Sequence, residues 1–227
     1  MSLLVDGFKE AIELLISGND SVYSAIIVTI TVSSWSILIS LILGLPLGFL
    51  LGYYQFKGKT VIKTIVDTFL AFPTVVIGLL VYTTLSQAGA FGEYNLLFTQ
   101  KAIIIGQIFL GLPIIIALTA AQVESTDKRL YLSLKGLGAK PYQILLTTLV
   151  EARFGLMTAA MTAYGRIITE IGISMMVGGN IKYHTRTITT AISLETGKGE
   201  FETGIALGLV LFIVALIVNI ALSMLKR

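Results

Sequence analysis

The sequence has 227 residues, 55% of them hydrophobic and 13% charged, with a formal net charge of +3 and a mean hydropathy of +0.89. So little charge on a chain this long excludes an ordinary soluble domain, and long apolar runs between short polar loops mark a polytopic membrane protein. Cysteine is absent, which excludes a disulfide framework and any Cys-based zinc or redox site; the small net charge suits lipid-flanking Lys and Arg and gives no footprint for nucleic acid.

The first segment, residues 1–20, is acidic in its early turns and has no basic stretch ahead of its apolar part, so it does not read as a signal peptide. Leu4, Phe8, Ile12 and Leu15 recur at helical spacing, with Asp6, Lys9, Glu10 and Glu13 on other faces. That pattern predicts a short amphipathic helix on the membrane surface. Residues 21–227 then form one integral domain, with no internal repeat and no low-complexity tract.

Five apolar tracts, at about 22–53, 64–86, 102–121, 142–177 and 204–225, reach the length that crosses a bilayer as a helix. The first and fourth exceed that need, so they tilt or project into water. In the first, Gly44, Gly48 and Gly52 recur every fourth residue and offer a flat stripe for close helix packing. Pro46, Pro73 and Pro113 each interrupt a hydrogen-bond ladder and allow a bend.

Lys and Arg in the short loops orient the bundle. Lys57, Lys59 and Lys63 follow the first tract; Lys128, Arg129, Lys135 and Lys140 follow the third; Lys226 and Arg227 follow the fifth. These ends belong on the cytoplasmic side, which places the N-terminus outside and the C-terminus in the cytoplasm.

The second cytoplasmic loop, residues 122–141, is too structured to be a tether. Ser125, Thr126 or Asp127 caps a helix starting near Lys128, Gly136 and Gly138 end it, and Pro141 opens the next helix. Leu130, Leu132, Leu134 and Leu137 make this short helix apolar for a water-exposed loop, as a protein-contact surface is.

The stretch "LSLKGLGAKPYQILLTTLVEARFG" is similar to the EAA loop in permease subunits of ATP-binding-cassette importers, with Gly138 on the family glycine and Leu137 and Ala139 matching around it. Leu132, Ser133 and Leu134 replace the Glu-Ala-Ala, and Thr148 to Glu151 replace the Ile-x-Leu-Pro. "FPTVVIGLLVYTTLSQAGAFG" resembles the second-span segment of molybdate and tungstate permeases, and "GRIITEIGISMMVGGNIKYHTRTITTAI" resembles their fourth-span exit. "SLETGKGEF" looks most like the tungstate branch. The resemblance implies an all-α integral membrane permease of the type I importer (MetI-like) architecture, working as a homodimer with a path along its two-fold axis. It implies two ATP-binding-cassette ATPase subunits that bind ATP and Mg, an extracellular oxyanion-binding protein, and a multi-pass place in a prokaryotic cell membrane. It also implies that the 128–138 helix, with Lys128, Arg129, Leu130, Leu132, Leu134, Lys135, Leu137, Gly138 and Ala139, sits in a groove on the ATPase. The chain has no Gly-x-x-x-x-Gly-Lys-Ser/Thr loop, so ATP hydrolysis falls to the partner and this subunit is not an enzyme.

Within "AYGRIITEIGISMM", Arg166 and Glu170 put two charges one turn apart in a membrane tract. Two readings stay open: a transient guanidinium donor to the passing oxyanion, or a fixed pair that locks the helix. The exit segment "GGNIKYHTRTITTAI" supplies Asn180, Thr185, Arg186 and Thr187, read either as a re-entrant gate or as a solvated cap on the bundle. His184 lacks the neighbours of a metal site, and Trp35 reads as a packing or interface residue with no chemistry of its own. Rival readings keep the architecture with molybdate, sulfate or phosphate as cargo, or replace it with a secondary transporter or channel. A membrane-embedded enzyme lacks any catalytic constellation within the tracts.

Overall fold

The computed structural model describes residues 2–126 and 128–224. Asp127, Leu225, Lys226, Arg227 and the side chains of Leu4, Asp6, Phe8 and Lys128, all invoked above, lie outside the described part. Every regular element among the described residues is helical: α1 (Ser2–Ile16), α2 (Asp20–Tyr53), α3 (Lys59–Leu70), α4 (Thr74–Leu85), α5 (Gln100–Glu124), α6 (Lys128–Gly136), α7 (Pro141–Ile168), α8 (Gly172–Gly178), α9 (Ile188–Lys198) and α10 (Phe201–Met224), with a 3-10 turn at Gly92–Tyr94.

The expected N-terminal helix forms, and one of its faces is taken up by protein. Gly7 sits so close to α10 that a Cβ would come within 2.7 Å of Ile205. Thr203 donates to Glu10 at 2.8 Å, and the Tyr23 hydroxyl donates to the Leu15 carbonyl at 2.7 Å, which closes the α1–α2 corner.

The 34-residue α2 starts at Asn19, whose side chain accepts from the Ser21 and Val22 amides. At 1.5 Å per residue it is about 50 Å long, well beyond the hydrocarbon layer. Its buried row runs Thr29, Ser33, Ser36, Ser40, Gly44, Gly48, Gly52, each about one turn from the last. Small side chains along this row let α2 lie against α5: a Cβ on Gly48 would stand 2.7 Å from the Ile116 carbonyl, and one on Gly52 2.7 Å from that of Ala120. The seam carries one buried polar bridge, Ser36 donating to Gln107 at 2.9 Å.

The tract at 64–86 is not one straight span. It breaks into α3 and α4, bent by 97°. Pro73 is the cause: it precedes α4, lacks an N–H, and disfavours helical geometry at Phe72 before it. α4 alone, with 12 residues, is about 18 Å long and too short to cross. α3 is amphipathic, with Thr60, Thr64, Asp67 and Thr68 on one face and Val61, Ile65 and Phe69 on the other. Among the described residues four helices cross unaided by length and composition, and a fifth crossing exists when the bent pair counts as one. The elbow borders an open apolar groove of about 360 Å³ between α3, α4 and α5, lined by Ile65, Phe69, Phe72, Leu80 and Phe109.

The expected fourth span, 142–177, also divides: α7 ends at Ile168 and α8 begins at Gly172. Two clusters hold the bundle. One joins α2, α4, α5 and α8 through Val28, Val32, Ile77, Val81, Ile103 and Ile173; the other joins α2, α9 and α10 through Val22, Ile188, Leu207 and Val210.

Candidate functional site

The break between α7 and α8 positions the two membrane charges. Arg166 Nη1 stands 3.3 Å from Glu170 Oε2, and the two side chains are unlike: Arg166 is 47% exposed, Glu170 2%. The other Glu170 oxygen accepts the Ile173 amide at 3.1 Å, which caps the first turn of α8. The Glu170 carbonyl accepts the Thr189 hydroxyl at 3.0 Å from the start of α9. Glu170 therefore ties α7, α8 and α9 together, while Arg166 leans half into the open from a single bond.

The exit segment returns into the bundle. Gly179, Asn180 and Tyr183 have φ of 69°, 51° and 65°, a left-handed run that reverses the chain after α8. Thr185 is buried, donates to the Gly178 carbonyl at 2.5 Å and accepts the Ile181 amide at 3.0 Å. Thr187 and Thr190 exchange side-chain and backbone bonds as the cap of α9. Arg186 donates to the Asn180 side chain at 3.1 Å and to its carbonyl at 3.3 Å, and Asn180 donates in turn to the Thr190 carbonyl. The hydroxyls of Thr185 and Thr187 are thus occupied within the loop. Arg186 lines an open cavity of about 590 Å³ shared with Asn19, Asp20, Lys182 and Glu195. Thr29 in α2 anchors the segment by accepting the Ile188 amide at 2.9 Å. Thr29 is one of several hydroxyls in its tract, beside Ser24, Thr31, Ser33 and Ser36, and nothing in the sequence singles it out for that role.

At the other end of the bundle, α6 is built as a rigid knob. Gly138, with φ of 75°, sits just past the helix; its amide reaches the Lys135 carbonyl and that of Ala139 the Leu134 carbonyl. This Schellman closure needs a left-handed residue, and glycine supplies it. Lys140 opens α7, its amide donating to Gln143 Oε1 at 2.7 Å. Leu130, Leu134 and Ala139 are half-buried toward the bundle, whereas Leu132 and Leu137 stand 64% and 82% exposed, with Arg129 and Lys135 also on the surface. Lys128 begins the helix.

Beside this knob lies a polar clamp that sequence reasoning missed. Lys59 is buried and donates to the carbonyls of Gly52 and Tyr54 at 3.2 Å, which are last-turn acceptors of α2. It also pairs with Glu124 at 3.0 Å, while Lys63 holds the second Glu124 oxygen at 2.6 Å. Glu124 is the last residue of α5, so one ammonium fastens α2, α3 and α5 just before the α6 loop. The only early signal was Lys59 among three lysines credited to orientation. Among the described residues no group of three or more His, Cys, Asp or Glu could hold a metal ion.

The profile of the family described as binding-protein-dependent transport system inner membrane component matches residues 44–227. The chain is 51% identical over 227 residues to the tungstate uptake system permease protein TupB of Campylobacter jejuni, covering all of this chain and 95% of that protein. It is 34% identical over its full length to the protein of the same name from Peptoclostridium acidaminophilum, covering 100% of each. Among solved structures, the bacterial alginate ABC transporter in complex with its alginate-bound periplasmic protein superposes with a TM-score of 0.78 at 20% identity, over 99% of this chain and 86% of that one.

Proposed function

This chain belongs to the family of binding-protein-dependent transport system inner membrane components, and on that premise we propose that it is the membrane permease of an ABC importer whose cargo is tungstate. The observation that carries the cargo is the 51% identity to a tungstate permease over every residue of the chain. The chain supplies the path and not the chemistry of ATP. It works as a homodimer with two ATPase subunits that hold ATP and Mg, and an extracellular binding protein delivers the anion to the face opposite α6.

The shape of α6 supports the coupling role. A nine-residue helix, closed by Gly138 and fixed by half-buried Leu130 and Leu134, offers Leu132 and Leu137 as apolar knobs between two long spans. Exposed leucines on a polar loop suit a groove on another protein. Lys57, Lys63 and Lys140 flank that end, as the cytoplasmic side requires. Movement of α6 passes into the bundle through Glu124 and Lys59, whose bonds reach the end of α2.

The test is purification of the chain with its cognate ATPase, followed by ATP hydrolysis measured with the binding protein and one oxyanion at a time. Tungstate should stimulate at the lowest concentration, with molybdate next and sulfate far behind. Stimulation by sulfate or phosphate but not by tungstate overturns the cargo; absence of a stable complex with the ATPase overturns the coupling.

A further inference from the structure

The long helices do not expose the same kind of surface. On α10 the exposed positions include Phe212, Ile213, Leu216, Ile217 and Ile220, and on α2 they include Ile27, Leu38, Ile42 and Leu47, as lipid-facing helices require. On α7 a row of exposed residues runs Thr158, Thr162, Arg166, Thr169, each a turn from the last. Arg166 lies about 20 Å along the helix rise from Arg153, in the last turn of α7, a helix long and apolar enough to cross a membrane. A half-exposed guanidinium facing lipid there costs on the order of 3 kcal/mol. The row therefore faces water or protein.

Resting on the reading of the chain as an oxyanion permease, we propose that Arg166, with the hydroxyls of Thr162 and Thr169, is a weak transit contact for a tetrahedral oxyanion on its way through the membrane. Glu170 sets the strength of that contact. Its carboxylate is buried and committed to the Ile173 amide, so it cannot swing away when an anion arrives. It holds one guanidinium nitrogen at 3.3 Å, longer than the 2.7–2.9 Å of a tight charge-assisted bond. The remaining N–H groups keep the fork geometry that matches two oxygens of a tetrahedral anion. Part of the charge is thereby offset in advance, which lets the contact select for an anion without trapping it. Thr162 donates to the Thr158 carbonyl and Thr169 to the Gly165 carbonyl, both at 2.9 Å. A rotation about χ1 turns either hydroxyl toward the row.

The absence of cysteine makes the test direct. Thr162→Cys is placed in the assembled complex with ATPase and binding protein, and its modification rate is measured with an anionic and a cationic thiosulfonate of similar size. A unit charge about 6 Å away in a watery path shifts each rate about threefold in opposite directions, and the Glu170 partner reduces this, so relative to their rates with a free thiol in solution the anionic reagent should gain about three- to tenfold over the cationic one. Millimolar tungstate should slow it, and Arg166→Gln should remove the preference while the complex still assembles. Leu216→Cys on α10 should stay unreactive. If Thr162→Cys does not assemble, Thr158→Cys, two turns and about 12 Å from Arg166, should show the same preference reduced to about two- to threefold. A cysteine that reacts in neither resting nor ATP-trapped complex, or a preference that survives Arg166→Gln, overturns the proposal. So does a rate that no oxyanion changes. Protection by molybdate or sulfate but not by tungstate leaves Arg166 as the contact and overturns the choice of cargo instead.

Discussion

Gly48→Ala tests the seam on which the bundle depends. A Cβ at Gly48 stands 2.7 Å from both the Ile116 carbonyl and the Thr119 Cβ, and 3.0 Å from the Ile116 Cα, where ordinary contact begins at 3.4 Å. Two of these three atoms are backbone in the middle of α5, so no side-chain rotation relieves the clash. The helices must separate by several tenths of an ångström, and a gap of that size forfeits about a quarter of each dispersion contact along the seam. It also stretches the Ser36–Gln107 bond. Overpacking of this kind costs about 1–3 kcal/mol, a drop on the order of 5 °C in melting temperature for a chain this size. Heating the purified complex and following the loss of the monodisperse species by size exclusion reads it. Gly208→Ala, on α10 with nothing within 4 Å, should melt at or slightly above the parent, because alanine is the better helix former. A Gly48→Ala complex that melts with the parent refutes the close packing of α2 on α5.

Glu170→Ala leaves Arg166 unpaired and the Ile173 amide without its acceptor; the same assay should show a loss of about 2–3 kcal/mol, with Glu170→Gln recovering most of it. Lys59→Met strands the Gly52 and Tyr54 carbonyls and should cost about 1–3 kcal/mol, whereas Lys63→Met, removing a more exposed pair, should stay within about 1 kcal/mol. Leu137→Glu, at the most exposed leucine beside α6, should leave melting within about 0.5 kcal/mol of the parent and abolish co-purification of the ATPase; full retention of the ATPase removes α6 as the coupling element.

Much of this architecture is legible in the chain because its causes are local. Apolar length marks the spans, Gly136, Gly138 and Pro141 bracket α6, and the four-residue recurrence of Gly44, Gly48 and Gly52 marks the α2–α5 seam. What escaped has distant causes. Pro73 announces a bend, but a single proline does not give its angle of 97°. No breaker stands between Ile168 and Ile171, so the tract reads as continuous; the helix stops there because Glu170 caps α8 with its side chain and receives Thr189, nineteen positions along the chain. α9 hides in a threonine-rich run that resembles a loop, and becomes helical once Thr187 caps it and Thr29 accepts its first amide. In the site, the Arg166–Glu170 pairing follows from spacing alone, while the contrast in exposure between the two partners does not.

Uphill transport is the most direct test of the whole account. Proteoliposomes holding this chain, its ATPase and internal ATP, with the binding protein outside, should accumulate tungstate above its external concentration, and vesicles holding this chain alone should not. Accumulation by the chain alone, or none by the complete assembly supplied with ATP, contradicts a permease driven through α6 by a partner's hydrolysis.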